Sequence, residues 1–212
     1  MRGSEILEEV ELGDQRRSAQ ALIPEIQAMF QRNSVQVDAI KWIGINQGPG
    51  SFTGLRVGIT LAKVFAYATG AELVACGAVE ALAFQAIKPE MDELVVVLDA
   101  QRRQFFWQRC EPTPEGVQAV GEISIADESD LVPTLKDSTR LTGPGLPKLL
   151  KKQPSLRDLA VVETDWELRP GVVGTLGFRD WKLGKTVDPF ELRPIYVRPS
   201  AAEEVYQRNH QK

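Results

Sequence analysis

Between Gln47 and Gly70 the chain reads Q-G-P-G-S-F-T-G-L-R-V-G-I-T-L-A-K-V-F-A-Y-A-T-G, and this stretch decides the fold class. Just before it, Lys41–Asn46 (K-W-I-G-I-N) is short, apolar and partly β-branched, the pattern of a buried strand. Gly48-Pro49-Gly50 then breaks any regular element. Proline fixes its own φ, and glycine opens backbone angles that other residues avoid. Ser51 or Thr53 is placed to cap a helix by accepting from an orphan N–H. Gly70 falls where a left-handed C-terminal cap belongs. Strand, tight loop and helix in this order predict an α/β layer.

The predicted helix carries a stripe of small residues, Gly54, Gly58, Ala62, Ala66 and Gly70, at every fourth position. Side chains at that spacing share one face. Two glycines inside a helix cost roughly 1 kcal/mol each relative to alanine, so close packing must offset them. The residues leave two readings open, packing against the chain's own sheet and packing against a helix of another protein. The stripe alone favours the chain's own sheet. The loop also invites an anion at the helix N-terminus. Neither common phosphate fingerprint fits, since Gly54 is followed by Leu55-Arg56 and the closing position of a G-x-G-x-x-G pattern is Thr53. Gly48, Gly50, Ser51 and Thr53 therefore form only a weak candidate nucleotide site.

Composition narrows the classes. The chain has 212 residues, 43% hydrophobic and 25% charged, so it can bury a core and stay soluble. The net charge of −4 argues against an extensive nucleic-acid face on this chain alone. No apolar run approaches the ~20 residues of a membrane span, and the N-terminus lacks a signal-peptide core, so a cytoplasmic location without membrane contact is expected. Cys76 and Cys110 lie far apart and read as buried thiols. The single histidine, His210, sits in a polar tail. No histidine pair for a metal and no Ser/His/Asp or Cys/His set can be assembled with it in mind.

Around the central stretch, Glu5–Leu12 is a candidate strand, Gly13-Asp14 a turn, and Arg17–Arg32 a helix with Leu22, Ile23, Ile26, Met29 and Phe30 on a broad apolar face. Pro24 should kink or weaken that helix. Val37–Asn46 and Leu73–Cys76 are predicted strands, and Ala78–Ile87 a short helix. Lys88-Pro89-Glu90 marks a boundary between an N-terminal lobe, 1–88, and a C-terminal lobe, 89–212. Leu94–Leu98 (L-V-V-V-L), Gln104–Cys110 and Gly116–Ile125 predict an antiparallel meander. Asp99 ends its first strand and is either a magnesium-holding carboxylate or, more simply, a hairpin-turn aspartate. Gly143-Pro144-Gly145 repeats the strand-to-helix break, a short strand is expected at Leu159–Val162, and Val172–Leu183 is the last helix.

As a whole string, G-P-G-S-F-T-G-L-R-V-G resembles the signature of the TsaB family, also called YeaZ. Further segments carry the likeness in the family's order. They are Ser18-Ala19-Gln20-Ala21-Leu22-Ile23-Pro24, the Leu98-Asp99-Ala100-Gln101-Arg102 turn with Phe106-Trp107, and Arg193-Pro194-Ile195-Tyr196-Val197-Arg198. The resemblance implies an actin-like ATPase (ASKHA) fold with two ribonuclease-H-like lobes. It implies a non-catalytic dimerisation subunit of the machinery that makes threonylcarbamoyladenosine next to the anticodon of tRNA. The expected partners are a TsaD-like catalytic subunit and a TsaE-like ATPase, with tRNA reached only indirectly and a homodimer possible when the chain is alone. No cofactor is expected on the isolated chain, and ATP or ADP belongs, if anywhere, at the junction of the complex. The interface helices of the family match Arg17–Arg32 and Thr53–Thr69, which makes Leu22, Ile26, Met29, Gly54, Gly58, Ala62, Phe65 and Ala66 the candidate contacts. On this reading Gly58→Leu or Ala62→Arg is expected to abolish pairing while sparing the fold.

The sequence also departs from the family. TsaB proteins begin with two further strands, so the N-terminal lobe is expected to lack them. A start upstream of Met1, or a shortened form, is the corresponding expectation, which the intact mass of the natively expressed protein tests. Gln101 stands where the family has arginine, and Arg17 where histidine is common. The alternative function is an ATPase or phosphotransferase of the actin-like fold acting on its own through Gly48–Thr53 and Asp99.

Overall fold

A computed structural model describes residues 1–12, 18–114 and 116–198. The expected turn at Gly13-Asp14, Arg17, His210 and the polar end at 203–212 lie outside the described residues. In chain order the elements are α1 (Ser18–Arg32), β1 (Trp42–Asn46), α2 (Phe52–Thr69), β2 (Glu72–Cys76), α3 (Ala78–Ala86), β3 (Glu93–Asp99), β4 (Phe105–Thr113), β5 (Gly116–Ala126), α4 (Glu128–Leu131), β6 (Thr139–Thr142), α5 (Leu146–Lys152) and α6 (Pro170–Lys182). The fold is α/β with two sheets. β1 and β2 form a two-stranded parallel sheet, and the second sheet has the order β5-β4-β3-β6.

The first sheet is built around the decisive stretch. β1 and β2 run in register from Trp42 opposite Glu72 to Asn46 opposite Cys76. Side chains alternate across a strand. Ile43 and Ile45 therefore face α2, where they pack with Ile59, Ala62, Ala66 and Leu73. Trp42 and Gly44 face α6. A Cβ on Gly177 would lie 2.8 Å from the Trp42 ring and 3.4 Å from Gly44 Cα, so α6 needs glycine there to approach the strand. The rings of Trp42, Phe178 and Trp181 close this side at centroid separations of 6.1–6.2 Å.

The second sheet takes its shape from β3. Its apolar run is buried on both faces, as a continuous Leu/Val strand should be. Leu94, Val96 and Leu98 pack against Val79, Leu82 and Ala83 of α3. Val95 and Val97 pack on the other side with Leu141, Leu146 and Leu149. β3 pairs antiparallel with β4 and parallel with β6. α3 is shared between the halves, because its Ala81 also packs with Cys76 and with Leu176 of α6.

Three predicted strands need correction. Glu5–Leu12 forms no strand, and the N-terminal segment instead lies across α6, where the Glu9 carboxylate accepts from the Gly171 N–H. Val37–Ala39 is a turn of 3-10 helix, so β1 starts later than expected. At Leu159–Val162 only an isolated bridge joins Ala160 to Leu141.

Candidate functional site

The loop after β1 is organised from within. Gly48 has φ 105°, donates its N–H to Asn46 Oδ1 at 2.8 Å, and accepts at its carbonyl from Ala78 N–H at 2.7 Å. A Cβ there would lie 2.9 Å from Leu55 Cδ1 and 3.1 Å from the Ile195 carbonyl oxygen. Gly50, by contrast, has open space around it. Ser51, rather than Thr53, is the helix cap, accepting from Gly54 N–H at 3.2 Å. Gly70 closes α2 in the left-handed conformation, as its position predicts. Gly48 and Gly54 thus direct their amides into the protein's own bonds. Asp99 belongs to a different loop. Its Oδ1 accepts from Gln101 N–H at 2.7 Å and from Lys148 Nζ at 2.6 Å, the arrangement of a hairpin-turn aspartate.

The C-terminal segment links the two loops. Ile195 N–H donates to the Gln47 carbonyl at 2.7 Å, and Arg198 donates to the Ala100 carbonyl at 3.0 Å. Between them, Tyr196 Oη accepts from Arg56 Nε at 3.0 Å. The Arg56 guanidinium also sits 3.7 Å above the Phe52 ring, which lies 5.1 Å from Tyr196. This stack fixes the first turn of α2.

α2 has two faces, and the structure separates them. Ala62 and Ala66 are 6% and 3% exposed and pack on the first sheet. A Cβ on Gly58 would lie 3.6 Å from Ile45 Cδ1, on the same inward side. The small-residue stripe is therefore what lets α2 lie close to β1 and β2. This corrects the assignment of Ala62 and Ala66 to a partner contact, since their surfaces are used inside the fold, while Gly58 is half-buried. Gly54 lies beside the Ser51 cap. Phe65 is turned toward α1, its ring 6.2 Å from that of Phe30.

The outward face carries a second, larger apolar stripe. Val57, Leu61 and Val64 of α2 and Leu22 and Ile23 of α1 line an open groove of about 460 Å³, with Arg56 and Thr60 at its polar margin. Ile23 is 58% exposed, Val64 57% and Tyr67 81%. Ile26 and Met29 are half-buried on the same helix as Leu22. The groove was legible as Val57, Leu61 and Val64 at helical spacing, but the small-residue stripe is the more unusual pattern and masks it.

The thiols stand apart from this surface. Cys76 and Cys110 are unpaired and buried, and burial pushes both thiols up to about 12. Among the described residues no group of three or more His, Cys, Asp or Glu side chains is placed to hold a metal ion.

A sequence model of the TsaD family, tRNA N6-adenosine threonylcarbamoyltransferase, matches residues 5–156. The chain belongs to this family. It is similar in sequence to TsaB and in fold to YeaZ. An uncharacterised Mycobacterium tuberculosis protein is 27% identical over 187 residues, covering 87% of this chain and 77% of its own length. The tRNA threonylcarbamoyladenosine biosynthesis protein TsaB of Escherichia coli is 28% identical over 106 residues, which span 48% of this chain and 45% of that protein. Among solved structures, YeaZ from Pseudomonas aeruginosa is similar with a TM-score of 0.68 and 20% identity over 84% of each chain. Another Pseudomonas aeruginosa structure, of an uncharacterised protein with similarity to peptidase YeaZ, has a TM-score of 0.70 at 21% identity, covering 86% of this chain and 85% of its own. These two likenesses show the fold. No helix among the described residues is long and apolar enough to cross a membrane.

Proposed function

We propose that this chain is a non-catalytic subunit of the machinery that forms threonylcarbamoyladenosine in tRNA. It docks a TsaD-like catalytic subunit through the outward face of α1 and α2. The observation that carries this reading is the groove between Leu22, Ile23, Val57, Leu61 and Val64, on the helix that also exposes Tyr67 at 81%. An apolar surface of this kind on a helix pair is stabilised by another helix laid across it. The name of the Escherichia coli relative supports the tRNA pathway. The net charge of −4 supports a place beside the catalytic subunit rather than on the tRNA. A sole imidazole, His210, supports the absence of a catalytic histidine pair.

Reconstitution tests the reading. Adding this chain to a TsaD-like protein with an activated threonylcarbamoyl donor and tRNA should raise product formation, while the chain without TsaD should form none. Product from the isolated chain, or no stimulation of TsaD by the folded chain, would overturn it.

A further inference from the structure

The second sheet treats its two edges differently. β6 is covered, since Ala160 bridges to Leu141 and Val161 N–H donates to the Leu141 carbonyl at 2.9 Å. Among the described residues β5 pairs with β4 alone. It is 11 residues long, contains no proline and carries one charged side chain, Glu122. Exposed edges are ordinarily short, charged, proline-bearing or covered. Pro112 fixes which backbone groups are left over. It has no N–H, so its pair with Val117 is of the non-hydrogen-bonded kind. Alternation then gives Gln118 and Val120 to β4 and turns the N–H and C=O groups of Val117 and Ala119 outward. The bulge at Gly121, φ 69°, is pinned from inside, where Gln108 Nε2 donates to its carbonyl at 2.7 Å. Ahead of the bulge, 116–120 keeps register with β4, and Gln118, Ala119 and Val120 are exposed.

We propose that the β5 edge is a self-association surface, where a second copy of this chain adds its own β5 antiparallel about a two-fold axis. Such a pairing sets a strand against its own sequence, so charges near the axis meet their like. β5 avoids this. With the axis at Ala119, Gln118 of one copy lies opposite Val120 of the other, and Glu122 lies opposite Gly116, so no two charged side chains of the strand face each other. The outward N–H and C=O groups of the two Ala119 residues then bond to one another. Edge pairing alone buries less than the ~1,200 Å² of a stable interface, so the dimer follows concentration. The surface is separate from the α1–α2 groove, because α2 packs on the first sheet, and its role does not depend on what fills that groove.

Sedimentation velocity of the full chain over about a hundredfold range of concentration tests this. It is run on the unaltered chain and on Val64→Asp, which removes association through the groove. Both should pass from monomer to dimer. Ala119→Pro deletes an outward N–H, a change that an edge strand tolerates, and Ala119→Lys sets two cations face to face at the axis. Each should weaken the dimer at least about tenfold while circular dichroism shows an unchanged fold, since Ala119 is exposed. In concentrated solution the Val117 and Ala119 amides should exchange more slowly, and those of Gln118 and Val120, already bonded to β4, should change little. A monomer at every concentration would overturn the proposal. So would a dimer that the folded Ala119→Lys variant leaves intact, or one that Val64→Asp abolishes.

Discussion

Two residues show how much of this fold rests on single atoms. Gly143 has φ 112°, and a Cβ there would lie 2.3 Å from the Val97 carbonyl oxygen. Gly143→Ala should therefore cost more than about 2 kcal/mol by chemical denaturation, from backbone strain and collision together. A cost below that would show that β3 and the β6–α5 turn can move apart. Glu93 is the other. It is buried, and burial pushes its carboxyl up. Hydrogen bonds from Thr139 and Lys136 and the charges of Lys136 and Arg109 outweigh this and hold it below the usual carboxylate range. A depressed folded value contributes stability that is present above the unfolded value and lost as pH falls through the folded one. Glu93→Gln should thus destabilise the protein at pH 7 by about 1–3 kcal/mol and flatten the loss of stability in acid. An unchanged acid slope would contradict this account of the cluster.

At the scale of elements, α2 separates two surfaces that its sequence superimposes. Ala62 and Ala66 of the small stripe face β1 and β2, and Val57, Leu61 and Val64 line the outward groove. Ala62→Arg should then destabilise the fold by upwards of about 3 kcal/mol, because it forces a charge into a packed interior. Val64→Asp should change stability by no more than about 1 kcal/mol, since Val64 is 57% exposed. Thermal and chemical denaturation of both variants measure the contrast, and equal destabilisation would contradict the two-faced reading. A cap at Ser51 or Thr53, the Gly70 cap and the L-V-V-V-L strand were legible because each depends on residues close in sequence. The orientation of the stripe was not, since Gly and Ala fit any close neighbour and only tertiary packing chooses one. Glu5–Leu12 was misread for a related reason. Its apolar residues fit a strand pattern, but the segment joins neither sheet and lies on the glycines of α6 instead.

At the scale of the whole molecule, the C-terminal segment 195–198 ties the Gly48 loop and the Asp99 hairpin together through Gln47, Arg56 and Ala100. That connection holds the loop where α2 begins, and with it the exposed face of α1 and α2. The family was legible from G-P-G-S-F-T-G-L-R-V-G because that string fixes a buried turn, a cap and a close-packed helix at once. The exposed groove was only half legible, since Leu22 lines it while Ala62 and Ala66 are buried against the first sheet.

In the proposed function this outward face holds a TsaD-like subunit. Size-exclusion chromatography with light scattering, on this chain mixed with its host's TsaD-like protein, tests it most directly. The unaltered chain is expected to form a one-to-one complex, and the folded Val64→Asp variant to lose at least about tenfold in affinity. A folded chain that forms no complex, or a Val64→Asp variant that co-elutes unchanged, would contradict it.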